Sequence, residues 1–438
     1  MKPDSASRSL GYPKMAVLGL QHMFAMFGAT VTVPLITGLD IGTTLLMAGL
    51  GTLLFHLITG GKVPAFLGSS FAFLGGYAAI APRLADGSAN VDMIPYACLG
   101  VACSGLVYLV LAALIKGFGI KRVMRCFPPI VTGPIIIAIG LGLAPVAVGS
   151  CKANWTLALT ALAVIGVCNI WGRGMIRIIP ILIGLVVSYI LACCLGAVDF
   201  SAVKDASWIG FPVVKKLTIL GVDFSNGAQI WSAIIAIVPI ALATIMEHIG
   251  DISAISSTVG KDFIKDPGLH RTLTGDGLAT TFASLFGGPA NTTYGENTGV
   301  LALSRVFNPV VVRIAAVFAI LLSFCPKFAA LISTIPGPIV GGISFVLYGM
   351  ISAVGIRNLV ENHVDFSKSR NLIIAAVILV TALGGVTLPI SIGKFHAMLT
   401  PLALASLAGI VLNAIFPAGD YAAHAKEDEP PKGNTFEV

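Results

Sequence analysis

The feature that most narrows what this chain can fold into is a succession of long apolar runs with hardly a charge inside them. They can be drawn at 15–36, 41–60, 64–82, 94–116, 124–148, 154–171, 175–197, 228–258, 271–288, 290–305, 308–330, 335–356, 371–389 and 396–416. A helix needs about 20 residues to cross the hydrocarbon of a bilayer. Most of these runs have that length; the third and tenth are short or broken. The expectation is an all-α integral membrane protein of about fourteen segments, with both termini on one side. Only 11% of the 438 residues are charged, 56% are hydrophobic, and mean hydropathy is +0.94. Soluble domains carry roughly 25% charged residues, and no soluble shape of this length could hide so much apolar side chain.

A net charge of +7 could be taken for a nucleic-acid footprint, but no dense Lys/Arg run exists. The basic residues sit at the ends of apolar runs and report topology. With a cytoplasmic N-terminus, 20 of the 27 Lys and Arg fall on the cytoplasmic side, as the positive-inside rule asks. The eight cysteines show no paired metal-ligand spacing and are expected to be small buried hydrophobes. The polar opening "MKPDSASRSLGYPK" leads straight into a full-length run, so no cleavable signal peptide is expected. The charged, Pro-containing end "HAKEDEPPKGNTFEV" is expected to be a disordered tail.

Two internal echoes suggest a duplication. "PIVTG" at 129–133 is matched by "PIVGG" at 338–342, and "GSSFAF" at 68–73 by "NTTYGE" at 291–296. Both pairs lie seven segments apart. Seven is odd, so the halves would point opposite ways in the membrane. Inverted repeats with interrupted segments at matching positions mark the binding sites of secondary transporters.

The acids narrow the search. Of 20 Asp and Glu, nearly all fall in loops, tails or segment ends; the exceptions are Glu247 and Asp251 in "IMEHIGDIS", Glu296 in "NTTYGENTG", and more weakly Asp276 in "LTGDGLAT". Intramembrane carboxylates are costly by at least a few kcal/mol, and an acid of this kind stands either for function or for a structural bond to backbone or hydroxyl. Glu247 and Asp251 are four apart and share a helix face. In low dielectric both cannot ionise cheaply, so at least one should hold a proton. Around Glu296, Gly295 and Gly299 permit irregular backbone, and Thr292, Thr293 and Asn297 can satisfy freed backbone groups. A helix starting there would aim its N–H groups at a ligand acceptor. Tyr294 and Phe71 become candidate walls for a flat ligand, against the commoner reading of such aromatics as packing. No HExxH, GxSxG or P-loop motif appears, so an enzyme is not expected.

With these residues in place, the chain resembles the nucleobase–ascorbate transporter (nucleobase:cation symporter-2) family, most closely its bacterial uracil permeases. Glu296, Asn297, Gly299 and Arg305 match the family signature, with Ser304 in place of its Thr. "LQHMFAMFGATVTVP" (20–34), "GKVPAFLGSSFAF" (61–73), "EHIGD" (247–251), "KDPGLHR" (265–271), "GGPANTTYGEN" (287–297) and "LYG" (347–349) extend the likeness over nearly the whole chain. The resemblance implies two inverted seven-span repeats, with short strands in broken spans 3 and 10. It implies a cytoplasmic N-terminus at 1–14, a core domain from 15–119 and 228–333, a gate domain from 120–227 and 334–417, and a cytoplasmic tail at 418–438.

It further implies that Glu247 and Glu296 hold the polar edge of a base, that Phe71 and Gly295 offer backbone N–H groups, and that Ala29, Ser70, Tyr294 and Tyr348 line the pocket. Glu296 or Glu247, with Asp251 and His22 as relays, would carry a coupled proton. The implied protein is a homodimeric uracil–proton symporter of the bacterial inner membrane, with no cofactor beyond the proton. Its partners would be the nucleobase and membrane lipids, with no nucleic acid. Asp251 stands where some uracil permeases have His and purine carriers often have Asp, which leaves a xanthine or uric acid permease as an alternative. An anion channel or exchanger on the same fold is a second.

Overall fold

The computed structural model describes residues 11–392 and 395–417, with the side chains of Tyr12, Lys121, Glu296, Leu303 and residues 391–397 outside that description. The expected terminal stretches 1–10 and 418–438 therefore lie outside the described residues.

Each of the fourteen expected segments coincides with a helix, a helix pair or a strand followed by a short helix. Among the described residues, six helical stretches are by themselves long and apolar enough to cross a bilayer: Pro13–Thr37, Ile41–Ile58, Ile94–Phe118, Pro129–Cys151, Gly227–Val259 and Gly337–Glu361. The eleventh segment is a pair, Pro309–Ser323 and Pro326–Ser333, bent by 88° at a break next to Pro326. Polar residues mark where helices begin. Asp40 accepts from Thr43 N at 2.6 Å to start Ile41–Ile58, and Asn154, Asn308 and Thr400 cap the sixth, eleventh and fourteenth segments in the same way.

The packing of these segments repeats itself. The fourth packs on the ninth and the eleventh on the second; the first packs on the eleventh and the eighth on the fourth; the sixth packs on the twelfth and the thirteenth on the fifth. Adding seven to both members of a pair, counting round fourteen, returns another pair in the set. Segments that meet their own counterparts do so antiparallel. Gly51 faces Ala279 and Gly275 faces Phe55, so the second and ninth run in opposite directions. Gly140 faces Ser352 while Gly133 faces Leu359, so the fifth and twelfth do the same. A two-fold axis perpendicular to the segments demands this arrangement. The "PIVTG" and "PIVGG" echoes thus belong to helices packed on each other. Segments 1–4 and 8–11 make most of their contacts among themselves, as do 5–7 and 12–14.

At the centre, β1 (Leu67–Ser69, third segment) pairs antiparallel with β2 (Asn291–Thr293, tenth segment), Gly68 opposite Thr292. A lone two-stranded ribbon leaves outward N–H and C=O groups that lipid cannot satisfy. Hydroxyls from two counterpart helices supply the partners. Thr52 accepts from Leu67 N at 2.9 Å and donates to its carbonyl at 3.3 Å, and Thr280 donates to the Asn291 carbonyl. Each threonine is the twelfth residue of its helix.

Two features were not expected. Two strands, β3 (Leu388–Ile392) and β4 (Phe395–Leu399), pair antiparallel, so the last helix starts at Pro401 and not at 396. The Pro and Gly of "TLPISIG" deny this stretch a helix. The cysteines are all free, but only Cys98, Cys151 and Cys168 are buried, and Cys126 and Cys194 are exposed. Loop acids keep their charge: bonds from Ser88, Ser225 and Ser367, hydroxyl first and backbone N–H second, hold Asp86, Asp223 and Asp365 below the usual carboxylate range.

Candidate functional site

The eighth segment ends in the helix Ala241–Val259, which carries Glu247, His248 and Asp251. Spacings of four (247 to 251) and three (248 to 251) put all three on adjoining faces. Glu247 is half-buried, while His248 and Asp251 are fully enclosed. β2 lies beside them. Thr293 donates from its hydroxyl to Asp251 Oδ2 at 3.2 Å, which leaves its oxygen to accept from His248 Nδ1 at 3.2 Å. The same nitrogen lies 3.2 Å from Asp276 Oδ2, which also takes the Thr292 hydroxyl at 3.3 Å. Nδ1 thus stands between the Thr293 hydroxyl and the Asp276 carboxylate, with at most one proton to give to either. The result is an enclosed chain, Asp251–Thr293–His248–Asp276–Thr292, joining the eighth and ninth segments through the strand.

The sequence reading missed His248, although a histidine next to an intramembrane Glu and three residues from an Asp was the available signal. It rated Asp276 weakest of the four acids, and the structure ties that residue into the chain.

β2 then turns into the helix Gly295–Ser304, whose cap residue Tyr294 is extended and provides no side-chain cap. The first N–H groups of a helix have no partner within it, so this end presents donors next to Asp251. A side-chain carbon placed on Gly295 would lie 3.1 Å from Asp251 Oδ1 and 3.7 Å from Val354 of the twelfth segment. Glycine is what lets the three segments meet there. Glu296 is the second residue of this helix; its side chain lies outside the described residues.

Opposite, Ser70 N donates to Ala290 O at 2.9 Å, which continues the ribbon, and Leu74 N donates to Phe71 O at 3.1 Å as the next helix begins. Phe71 and Tyr348 meet edge to face, with ring centroids 5.6 Å apart, so the third and twelfth segments touch through aromatic rings. Tyr294 lies over Gly68, where an added carbon would come within 2.5 Å of its ring, and its hydroxyl donates to Ser69 O at 3.1 Å. Ala29 is buried on the first segment, next to Thr30, whose carbonyl accepts from Ser69 Oγ at 2.9 Å. His22 is buried beside Asn297, whose amide donates to Pro64 O at 2.7 Å. It stands outside the His248 chain.

Thus the structure brings Asp251, Gly295 and Val354 of the eighth, tenth and twelfth segments together, with Glu247 one turn from Asp251 on the same helix, and joins the third and twelfth segments through Phe71 and Tyr348. The model of a permease family (Xan_ur_permease, "Permease family") matches residues 13–391. The chain belongs to that family. It is therefore a multi-pass membrane transporter and not an enzyme.

Among the permease's relatives, the uracil permease of Bacillus caldolyticus is 46% identical over 415 residues, 93% of each chain. The uracil permease of Escherichia coli K12 is 40% identical over 410 residues, 91% of this chain and 90% of the other. The putative pyrimidine permease RutG of the same organism is 41% identical over 417 residues, 93% and 90%. Among solved structures, the transmembrane domain of the cyanobacterial bicarbonate transporter BicA superposes with a TM-score of 0.61 at 15% identity, over 91% of this chain and 96% of that one. SLC26A9 gives 0.66 at 14% identity, over 92% and 65%. At such identities the likeness speaks for the fold, the same inverted-repeat architecture that the packing pairs display.

Proposed function

We propose that this permease imports uracil with a proton across the bacterial inner membrane, with both termini in the cytoplasm. The observation that carries the reading is 40–46% identity to uracil permeases over more than nine-tenths of the chain, joined to acids gathered at an uncapped helix start. Uracil presents ring N–H donors between carbonyl acceptors. Carboxylates of Glu247 and Glu296 would take the donors in charge-assisted bonds, and the N–H groups at Phe71 and Gly295 would serve the acceptors. Ala29, Ser70, Tyr294 and Tyr348 would complete the pocket, and Asp251 and His22 would assist the proton.

The core group (15–119 with 228–333) would then slide against the gate group (120–227 with 334–417), which also supplies the homodimer contact. Packing within each group is denser than between them, which favours such rigid-body movement. Neutralisation is the coupling step, because carrying an unpaired carboxylate past apolar surface costs several kcal/mol.

The test is labelled-uracil uptake into proteoliposomes with an acidic exterior. Wild type takes up uracil faster as the exterior is acidified. Glu296→Gln and Glu247→Gln abolish uptake or its pH dependence. Full, pH-dependent uptake in both variants overturns the assignment. Asp251 favours one second reading, a purine permease, for which xanthine would displace labelled uracil or replace it.

A further inference from the structure

Away from the strand pair, the first helix of the eleventh segment, Pro309–Ser323, carries a groove of about 410 Å³ lined by Val310, Arg313, Ile314, Val317 and Phe318. The four apolar residues are spaced four, three and one apart, so they form one stripe along the helix. Val317 is 46% exposed on a surface of a membrane-embedded helix, which is where lipid tails run. A guanidinium interrupts this stripe. Arg313 is half-buried; its Nε is enclosed and meets no hydrogen-bond acceptor.

The surroundings of Arg313 add no negative charge. Its Nη1 would lie 3.7 Å from a carbon placed on Gly61, at the turn after the second segment. The buried side chain of His56 is its electrostatic neighbour. Asp266, the acid that reaches this turn, is taken by Lys62 at 2.5 Å. Among the described residues no carboxylate pairs with Arg313. A guanidinium in such a place asks for an anion, and the stripe beside it asks for a hydrocarbon chain.

We propose that this groove binds one anionic phospholipid of the surrounding bilayer, its phosphate on Arg313 and an acyl chain along Val310, Ile314, Val317 and Phe318. A soluble anion would leave the apolar stripe unused, and a neutral lipid would leave the cation with a weaker partner. The site lies on the group of segments that would move during transport, so a bound lipid would travel with it. The inference stands apart from the substrate reading, since its readout needs no uracil.

The experiment is native mass spectrometry of the full-length permease in detergent, with dioleoylphosphatidylglycerol or dioleoylphosphatidylcholine added in equal amounts. Wild type retains the phosphatidylglycerol in preference. Arg313→Gln lowers that retention roughly fivefold, the scale of one cation acting on an anionic headgroup. Arg313→Lys keeps most of it, and Val317→Trp, which fills the groove, lowers retention of both lipids. Arg305→Gln removes an exposed charge outside the groove lining and leaves retention unchanged. Equal retention by wild type and Arg313→Gln overturns the site. So does an equal drop in Arg305→Gln, which would mean general surface charge.

Discussion

The two broken segments occupy counterpart places, yet one arm is held by backbone and the other by ionisable groups. On the β1 arm, the Ser69 hydroxyl donates to the Thr30 carbonyl, and Gly68 makes room for the Tyr294 ring. On the β2 arm, Thr292 and Thr293 bond Asp276, Asp251 and His248. The helices behind the arms explain the difference. The first segment carries Gln21–His22 and the eighth Glu247–His248. Four residues before the matching threonines, Thr52 and Thr280, stand Ala48 and Asp276. His22 therefore has no counterpart of the acid that His248 meets. Duplication supplies a symmetric scaffold, and a few substitutions on one side turn it into a chemical site.

Three tests probe this asymmetry, in descending order of effect. Asp276→Ala makes the β2 side resemble the β1 side. It leaves two buried groups, His248 and the Thr292 hydroxyl, without the acid they meet, and losing a partner costs a buried polar group about 1–3 kcal/mol each. The thermal midpoint in detergent should fall sharply and uracil binding should be lost. An unchanged midpoint would mean that the His248 chain is not a structural tie. Next, Gly68→Val drives a side chain into Tyr294 and should destabilise by about 1–3 kcal/mol, as overpacking does. Gly299→Ala, with open space around that position, should leave the midpoint where it is. Smallest is the hydroxyl pair. Thr293→Val takes a donor from a buried carboxylate, worth about 1–3 kcal/mol, against about 0.5–1.5 kcal/mol for the neutral Ser69→Ala. Only the former should move the pH dependence of uracil binding. Equal effects on that dependence would erase the contrast between the arms.

Much of the fold could be read from hydropathy, because a lipid-embedded helix has to announce its length in apolar residues. The strand pair β3–β4 escaped, since a short apolar run with Pro and Gly scores much like the end of a helix. At the site, the acids were visible because charge is rare in this chain. His248 was overlooked, because its place beside Glu247 and Asp251 hinted at a role while its partners Thr293 and Asp276 are neighbours only across space. Tyr294, a sensible candidate wall from sequence, turns out to be packed on Gly68 with its hydroxyl on Ser69.

The sequence by itself determined that the chain lives in a bilayer, because desolvation leaves no other cheap place for 438 residues so poor in charge; its two echoes suggested a duplication, and its few internal acids singled out a candidate region. Only the tertiary structure decided which acids meet which partners. Asp251, His248 and Asp276 come from two helices, and a strand from a third segment bonds them together. Hydrogen bonds act over about 3 Å, and no spacing along the chain encodes that distance.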